Sequence, residues 1–130
     1  MSVFGKLFGS FDDKSTNSKG LKWNLLTDIK QLDAIAEDSA STPVLIFKHS
    51  TRCSVSRMAL RTFENEYNIE EDKAEPYFLD LLEHRDISNA IASRFGVTHQ
   101  SPQLILIKGG QAVYHSSHSD IDANTVKGKL

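Results

Sequence analysis

Two uninterrupted apolar runs stand out along this chain, Val44-Leu-Ile-Phe47 and Leu104-Ile-Leu-Ile107. Continuous apolar runs of this length are typical of strands that are buried on both faces of a sheet. The spacing of apolar residues predicts three further strands, at 23–26, at 77–82 and, after a Gly109-Gly110 hairpin turn, at 112–114. We therefore expect a central sheet to form the core.

Between these strands, apolar residues recur every three or four positions, which indicates amphipathic helices. Asp86 can cap the third helix, Gly96 is typical of the position just past its end, and Ser119 or Asp120 can begin a short last helix. The core-facing residues predicted for the first helix are Ile29, Leu32, Ile35 and Ala36. Those predicted for the second helix, from about Cys53 to Tyr67, are Val55, Met58, Ala59, Phe63 and Tyr67.

The resulting order is β-α-β-α-β-α-β-β-α, which predicts an α/β fold with a mixed central sheet flanked by helices on both faces. Residues 21–130 are expected to form this single domain. Residues 1–20 are expected to form a flexible tail, because 12–20 are only polar residues and glycine. The apolar residues before that stretch are accompanied by one cation, Lys6, so contact with a membrane surface is not favoured.

Composition narrows the class of function. The net charge of −2 does not suggest a nucleic-acid-binding protein, which usually carries a basic excess. A single cysteine excludes an intramolecular disulfide and a cysteine-rich zinc site, and His115 and His118 lack the further ligands that a metal site needs. No secretory signal or apolar run of membrane-spanning length is visible, so the cytoplasm is the expected compartment.

That one cysteine, Cys53, lies where a predicted buried strand passes into a helix. A helix N-terminus offers free N–H groups and the positive end of a dipole, and both favour the nucleophilic thiolate. Positive charge nearby has the same effect, and Lys48, His49, Arg52 and Arg57 can supply it. The alternative is an inert cysteine that acts as a small apolar residue.

Other residues near Cys53 along the chain or in the predicted sheet are candidates for the same site. Ser56 completes a Cys-x-x-Ser sequence, so it can donate a hydrogen bond to the thiolate but cannot form a disulfide with it. His49 can act as a base or only add positive potential. Ser101-Pro102 directly precedes a core strand, and an X–Pro bond at such a position permits the cis form that marks tight functional turns.

These motifs resemble a known family. Phe47-Lys-His-Ser-Thr-Arg-Cys53, with Trp23-x-Leu-Leu-Thr27 before it and Ser101-Pro-Gln-x-Ile-Leu-Ile107 after it, is similar to the monothiol bacilliredoxins of the YtxJ type, which have a thioredoxin-like fold. The resemblance covers about residues 21–126. It implies that Cys53 is the reactive cysteine, that Pro102 is the cis-proline and that Ser117-His118-Ser119 matches a Ser-His element of the family.

The resemblance also implies an activity, that of a thiol-disulfide oxidoreductase which removes bacillithiol from protein mixed disulfides. Bacillithiol would then be the co-substrate, with no bound cofactor and no metal. The implied partners are bacillithiolated client proteins, a low-molecular-weight thiol and a reducing dithiol protein. The expected catalytic residues are Cys53, Ser56 and Arg52. The expected substrate-binding residues are Lys48, His49, Arg57, Ser101, Pro102, Ser117 and His118, with the positive charge of Lys48, Arg52 and Arg57 balancing the malate portion of bacillithiol.

Two other functions on the same fold stay open. A binding module would dock a partner beside Pro102 and leave Cys53 unreactive. A glutaredoxin-like iron–sulfur carrier fits less well, because the chain reads Cys-Ser-Val-Ser in place of Cys-Gly-Phe-Ser. In addition, Ser50 stands where glutaredoxins often carry a lysine that holds the glutathione carboxylate. The reactivity of Cys53 separates the first of these alternatives from thiol exchange.

Overall fold

The computed structural model describes residues 21–130, and the tail expected at 1–20 lies outside them. The order of elements confirms the predicted alternation. The elements are β1 (Asn24–Leu25), α1 (Gln31–Asp38), β2 (Val44–His49), α2 (Ser54–Glu66), β3 (Glu75–Asp80), α3 (Arg85–Phe95), β4 (Gln103–Lys108), β5 (Gln111–Ser117), a 3-10 turn (His118–Asp120) and α4 (Ala123–Lys127). No helix in residues 21–130 has the length and apolar character needed to cross a membrane.

The five strands form one mixed sheet in the order β1-β3-β2-β4-β5. The first three of these are parallel, whereas β4 runs antiparallel to β2 and β5 runs antiparallel to β4. The turn between β4 and β5 uses Gly109 and Gly110 at φ values of 60° and 79°, which glycine adopts without a steric penalty. The sheet confirms the predicted mixed topology and its antiparallel edge.

Helices cover both faces of the sheet and form two apolar cores. One core includes Leu32 of α1 and Ile91 of α3, and the other includes Phe63 of α2 and Val126 of α4. Along β2 the side chains alternate between these cores, as they do in any strand. The predicted α/β class is therefore confirmed, and the same alternation decides on which side of the sheet the last residues of β2 lie.

The helix α2 is rotated about its axis relative to the prediction. Val55 is 48% exposed and Met58 is 70% exposed, so their predicted burial was wrong. Ser56 lies on the inner side instead and is fully buried, while Phe63 and Tyr67 pack inward as predicted. A buried hydroxyl costs little free energy when it has hydrogen-bond partners, and Ser56 has two.

Three predicted helix details also need correction. Ile29 precedes α1 and is 43% exposed, so it does not belong to the core. Asp86 lies in the first turn of α3, whose N-cap position is held by His84. Gly96 does end this helix, at a left-handed φ of 65°.

The start of the last helix is the third correction. Ser119 and Asp120 lie in the 3-10 turn, and α4 begins after Asp122. The side chain of Asp122 accepts a hydrogen bond from the N–H of Thr125 at 2.9 Å, which makes it the N-cap. The apolar spacing predicted this helix, but several polar residues before it were equally suitable caps.

Candidate active site

Cys53 occupies the N-cap position of α2 and is half-buried. Its carbonyl accepts a hydrogen bond from the N–H of Arg57 at 3.1 Å, and its own N–H donates to the carbonyl of Ser50 at 3.2 Å. No side chain caps this helix. The thiol therefore lies at the positive end of the helix dipole, beside first-turn N–H groups that have no partner within the helix.

The loop that leads to Cys53 lies next to a second loop, which ends at Pro102. Lys48 near the end of β2 is directly opposite Gln103 at the start of β4, and these two strands are antiparallel neighbours. The Cys53 loop (residues 50–53) and the Pro102 loop (residues 97–102) therefore meet at one edge of the sheet. The Ser101–Pro102 peptide bond at this edge is cis.

Ser56 faces His49 behind the Cys53 loop. The N–H of Ser50 donates to Ser56 Oγ at 3.0 Å, and Ser56 Oγ lies 2.8 Å from Nδ1 of His49. Because the oxygen accepts from Ser50, its own proton is free to be donated to the imidazole. The Ser56 hydroxyl thus bonds to the loop and to His49. The sequence had suggested a hydrogen bond from this hydroxyl to the Cys53 thiolate instead.

The imidazole of His49 is buried, and burial lowers its pKa below the usual value of 6.5. The positive charge of Arg57 lowers the same pKa, and the carboxylate of Asp80 raises it. With the pKa lowered overall, His49 is neutral at neutral pH, so that Nδ1 can accept the hydrogen bond from Ser56. A neutral imidazole adds no positive potential at Cys53.

Lys48 is fully buried on the opposite face of the sheet. Its Nζ donates to the carbonyl of Ser88 at 3.1 Å and lies 3.3 Å from Nδ1 of His99. Burial lowers the pKa of Lys48 to about 8. The expected contact between Lys48 and the malate portion of a bound thiol does not fit this position, because the alternation along β2 turns the side chain away from the surface around Cys53.

Arg52 and Arg57 are exposed beside Cys53, as expected. One nitrogen of Arg57, Nη1, donates to the carbonyl of Thr51 at 3.1 Å and so ties the Cys53 loop to α2. Neither guanidinium takes part in an ion pair within the described part of the chain. Their positive charge is therefore available to an anionic ligand.

The remaining candidates gather on the Pro102 side. The carbonyl of Pro102 accepts a hydrogen bond from the N–H of His118 at 3.1 Å. His118 is exposed and has a left-handed φ of 54°, while Ser117 before it pairs with Gln103. The hydroxyl of Ser101 is buried and has no hydrogen-bond partner in residues 21–130. The 3-10 turn that begins at His118 packs against α2, which connects this group to the helix of Cys53.

Residues that the sequence did not single out complete the surroundings of the site. They are Asp80, Ser88, His99 and Gln103. Gln103 is fully buried opposite Lys48, and its Nε2 donates to the carbonyl of Thr98 at 3.0 Å. The sequence did contain a sign that Lys48 and Gln103 are buried, because each directly adjoins an apolar run that predicts a strand with two buried faces. Within 21–130, no group of three or more His, Cys, Asp or Glu side chains is placed to hold a metal ion.

Comparison with known proteins agrees with this geometry. Residues 24–126 match the family model described as monothiol bacilliredoxin BrxC. A solved structure described as an oxidoreductase with a thioredoxin fold is 29% identical, with a TM-score of 0.68 over 80% of this chain and 89% of that one. Thioredoxin from Malassezia sympodialis is 18% identical, with a TM-score of 0.60 over 83% of this chain and 87% of its own. Spinach chloroplast thioredoxin f is 12% identical, with a TM-score of 0.61 over 90% and 89%.

The two thioredoxins establish the fold, and the family model covers most of the chain together with Cys53 and the Pro102 loop. A half-buried cysteine at a helix N-terminus, facing that loop, is an arrangement suited to thiol redox chemistry. The protein is thus a thioredoxin-like redox protein, and the chain belongs to the monothiol bacilliredoxin family.

Proposed function

We propose that the protein removes bacillithiol from client proteins by thiol-disulfide exchange. The Cys53 thiolate attacks the bacillithiol sulfur of a client–S–S–bacillithiol disulfide. The disulfide bond breaks, the client cysteine leaves as a thiolate that takes a proton from solvent, and Cys53 is left in a disulfide with bacillithiol. The client cysteine is reduced as Cys53 is oxidised to the mixed disulfide, so returning Cys53 to its thiol needs an outside thiol, which is oxidised in turn.

The observation that carries this proposal is the placement of Cys53, half-buried at the N-cap of α2 and next to the Pro102 loop. It is the only cysteine of the chain, so no second thiol of the same molecule can resolve the adduct. We therefore propose that a further bacillithiol molecule or a partner dithiol protein attacks the adduct and returns Cys53 to its thiolate. This requires a reducing compartment, for which we propose the cytoplasm.

The charges around Cys53 suit the co-substrate. Bacillithiol carries the carboxylates of its malate portion. Arg52 and Arg57 are close to Cys53 in sequence and exposed, so their guanidinium groups can pair with these carboxylates. The exposed His118 borders the Pro102 loop and is a further candidate contact for the bound molecule. We propose bacillithiol as co-substrate, not as a resident cofactor.

The first test is intact mass spectrometry after the reduced protein is mixed with a bacillithiolated client protein. We expect Cys53 to gain the mass of bacillithiol as the client returns to its free thiol. Cys53→Ser should abolish the transfer because an alcohol is not a nucleophile toward disulfides at neutral pH, and its circular dichroism should match that of the wild type.

Retained transfer in Cys53→Ser would contradict the mechanism. Absence of transfer to the wild type, together with slow alkylation of Cys53, would identify a binding module that docks partners beside Pro102. Rapid alkylation without transfer would keep thiol exchange and reject bacillithiol as the co-substrate. The three outcomes therefore separate the reaction from its co-substrate.

A further inference from the structure

Lys48 and His49 are neighbours at the end of the strand that leads to Cys53, and their side chains lie on opposite faces of the sheet. On one face, His49 contacts the Ser56 hydroxyl, which in turn binds the N–H of Ser50. This contact holds α2 and the Cys53 loop against β2. Of the two neighbours, His49 therefore supports the loop that carries the thiol.

On the other face, Lys48 contacts the loop that ends at Pro102. Its Nζ lies 3.3 Å from Nδ1 of His99 in that loop and 3.1 Å from the carbonyl of Ser88 in α3. On the neighbouring strand β4, the fully buried Gln103 is paired with Lys48 and donates to the carbonyl of Thr98 at 3.0 Å. Buried side chains thus contact the Pro102 loop at two successive residues, Thr98 and His99, and the buried Ser88 hydroxyl also lies 3.4 Å from Nδ1 of His99.

Stability alone does not account for a lysine at this place. The side chain of Lys48 is fully buried, and no ion pair of the described residues involves it. A buried ammonium without a carboxylate partner costs free energy that an apolar side chain of similar size would not. The carbonyl of Ser88 lies within α3 and does not need the lysine, because helical carbonyls are already paired.

We propose that Lys48 is a positioning residue which, through His99, sets the Pro102 loop relative to Cys53 for substrates with an extended polypeptide backbone. Lys48 does not touch the substrate in this arrangement. The proposal rests on the exchange reaction proposed for Cys53 and deepens it, because it assigns recognition of the polypeptide to the loop and bond exchange to the thiol. A small disulfide, which has no backbone to dock, should therefore not sense Lys48.

Two probes with the same leaving group test this division. One is 2,2′-dithiodipyridine, and the other is a short peptide whose single cysteine carries a 2-thiopyridyl group. The Cys53 thiolate attacks either sulfur of the small disulfide, or the cysteine sulfur of the peptide probe. In both cases the disulfide breaks, and 2-thiopyridone leaves and is followed by its absorbance. The two reactions differ in whether a 2-thiopyridyl group or a peptide becomes attached to Cys53 through the new disulfide.

We expect Lys48→Met to raise the half-saturating concentration of the peptide about tenfold, because a displaced loop binds its ligand less well. The limiting rate with the peptide and the rate constant with the small disulfide should stay within about twofold of the wild type, because neither depends on the loop. The control is Lys108→Met. Like Lys48, Lys108 lies near the end of a strand and donates to a backbone carbonyl, that of Lys129 at 3.3 Å. It lies at the end of β4 that is far from the Pro102 loop.

His99→Ala provides a second variant in case Lys48→Met does not fold, since His99 is exposed and its removal leaves the core intact. It should show the same selective loss with the peptide. Equal loss of rate with both probes, or no loss with the peptide in either variant, would overturn the proposal. Neither probe contains bacillithiol, so a wrong co-substrate assignment leaves this result unaffected.

Discussion

The Ser56 hydroxyl satisfies two polar groups at the base of the candidate site. It accepts a hydrogen bond from the N–H of Ser50 and lies 2.8 Å from His49 Nδ1, which is free to accept its proton. Both partners are buried, so water cannot replace the hydroxyl. We therefore interpret the serine of the Cys-x-x-Ser sequence as a residue that fixes the Cys53 loop, and not as a donor to the thiolate.

Ser56→Ala should lower the free energy of unfolding by about 1–3 kcal/mol, because it leaves a buried N–H and a buried imidazole nitrogen without partners. Urea denaturation measures this change. The alkylation rate of Cys53 with iodoacetamide should change by less than about threefold, since the recorded bonds of the hydroxyl do not reach the sulfur.

The exposed Ser54, at the first position of α2, supplies the matched control. Ser54→Ala should alter the free energy of unfolding by less than about 0.5 kcal/mol. If Ser56→Ala instead slowed alkylation strongly and left stability unchanged, the serine would act on the thiol after all.

At the scale of one element, α2 illustrates what a sequence pattern determines and what it leaves open. The apolar spacing predicted that a helix follows Cys53, and Phe63 in its last turn and Tyr67 at its C-cap are buried as expected. The pattern predicted that Val55 and Met58 face the core, because apolar residues are assigned to the inner face of a helix and serine to the outer face. Burial of Ser56 depends on partners in β2 and in the preceding loop, and no periodicity within the helix reveals them.

The observed rotation of α2 predicts very different costs for two truncations on this helix. Met58→Ala should change the free energy of unfolding by less than about 0.5 kcal/mol, because the side chain is 70% exposed. Phe63→Ala should lower it by about 3–5 kcal/mol, since that ring is buried among Phe47, Trp23 and Tyr67. Urea titrations of the two variants give the comparison.

A large loss for Met58→Ala would mean that Met58 is covered, either by residues 1–20 or by another copy of the chain. Concentration dependence of the transition would then distinguish the two, because only association between copies varies with protein concentration. Equal and small losses for both variants would contradict the described orientation of α2.

At the scale of the whole molecule, the site exists because β2 and β4 are antiparallel neighbours, which brings two loops about fifty residues apart in sequence to one edge. The apolar runs of these strands predicted the sheet, and the position of Cys53 predicted the helix N-terminus. The sequence showed that Lys48 and Gln103 continue buried strands, but it could not predict their contacts, because these depend on which face of the sheet each side chain lies on and on packing against α3 and the Pro102 loop. From the sequence alone, a charged residue near the end of a strand is expected to be exposed.

The buried Lys48 also makes stability depend on pH. Burial lowers the pKa of Lys48 in the folded protein to about 8, below the usual lysine value of 10.5. Between these values the unfolded chain binds a proton at this residue and the folded chain does not. The free energy of unfolding therefore rises with pH across this range, and the stabilisation present above 10.5 is lost as pH falls through about 8.

Lys48→Met removes this titration and fills the same space with an apolar side chain. We expect the variant to be more stable than the wild type at pH 7.5, and its advantage to shrink by about 2 kcal/mol at pH 9.5 because the wild type gains stability while the variant does not. Urea denaturation of both proteins at the two pH values gives the difference. Tyr67, whose pKa burial raises to about 12, is common to both proteins and cancels. His99, whose pKa burial and the charge of Lys48 lower below 6.5, stays neutral in this pH range in both proteins. A constant difference between pH 7.5 and 9.5 would mean that the lysine is hydrated in the folded protein, and the hydrogen bond to His99 could then no longer be assigned to a buried ammonium.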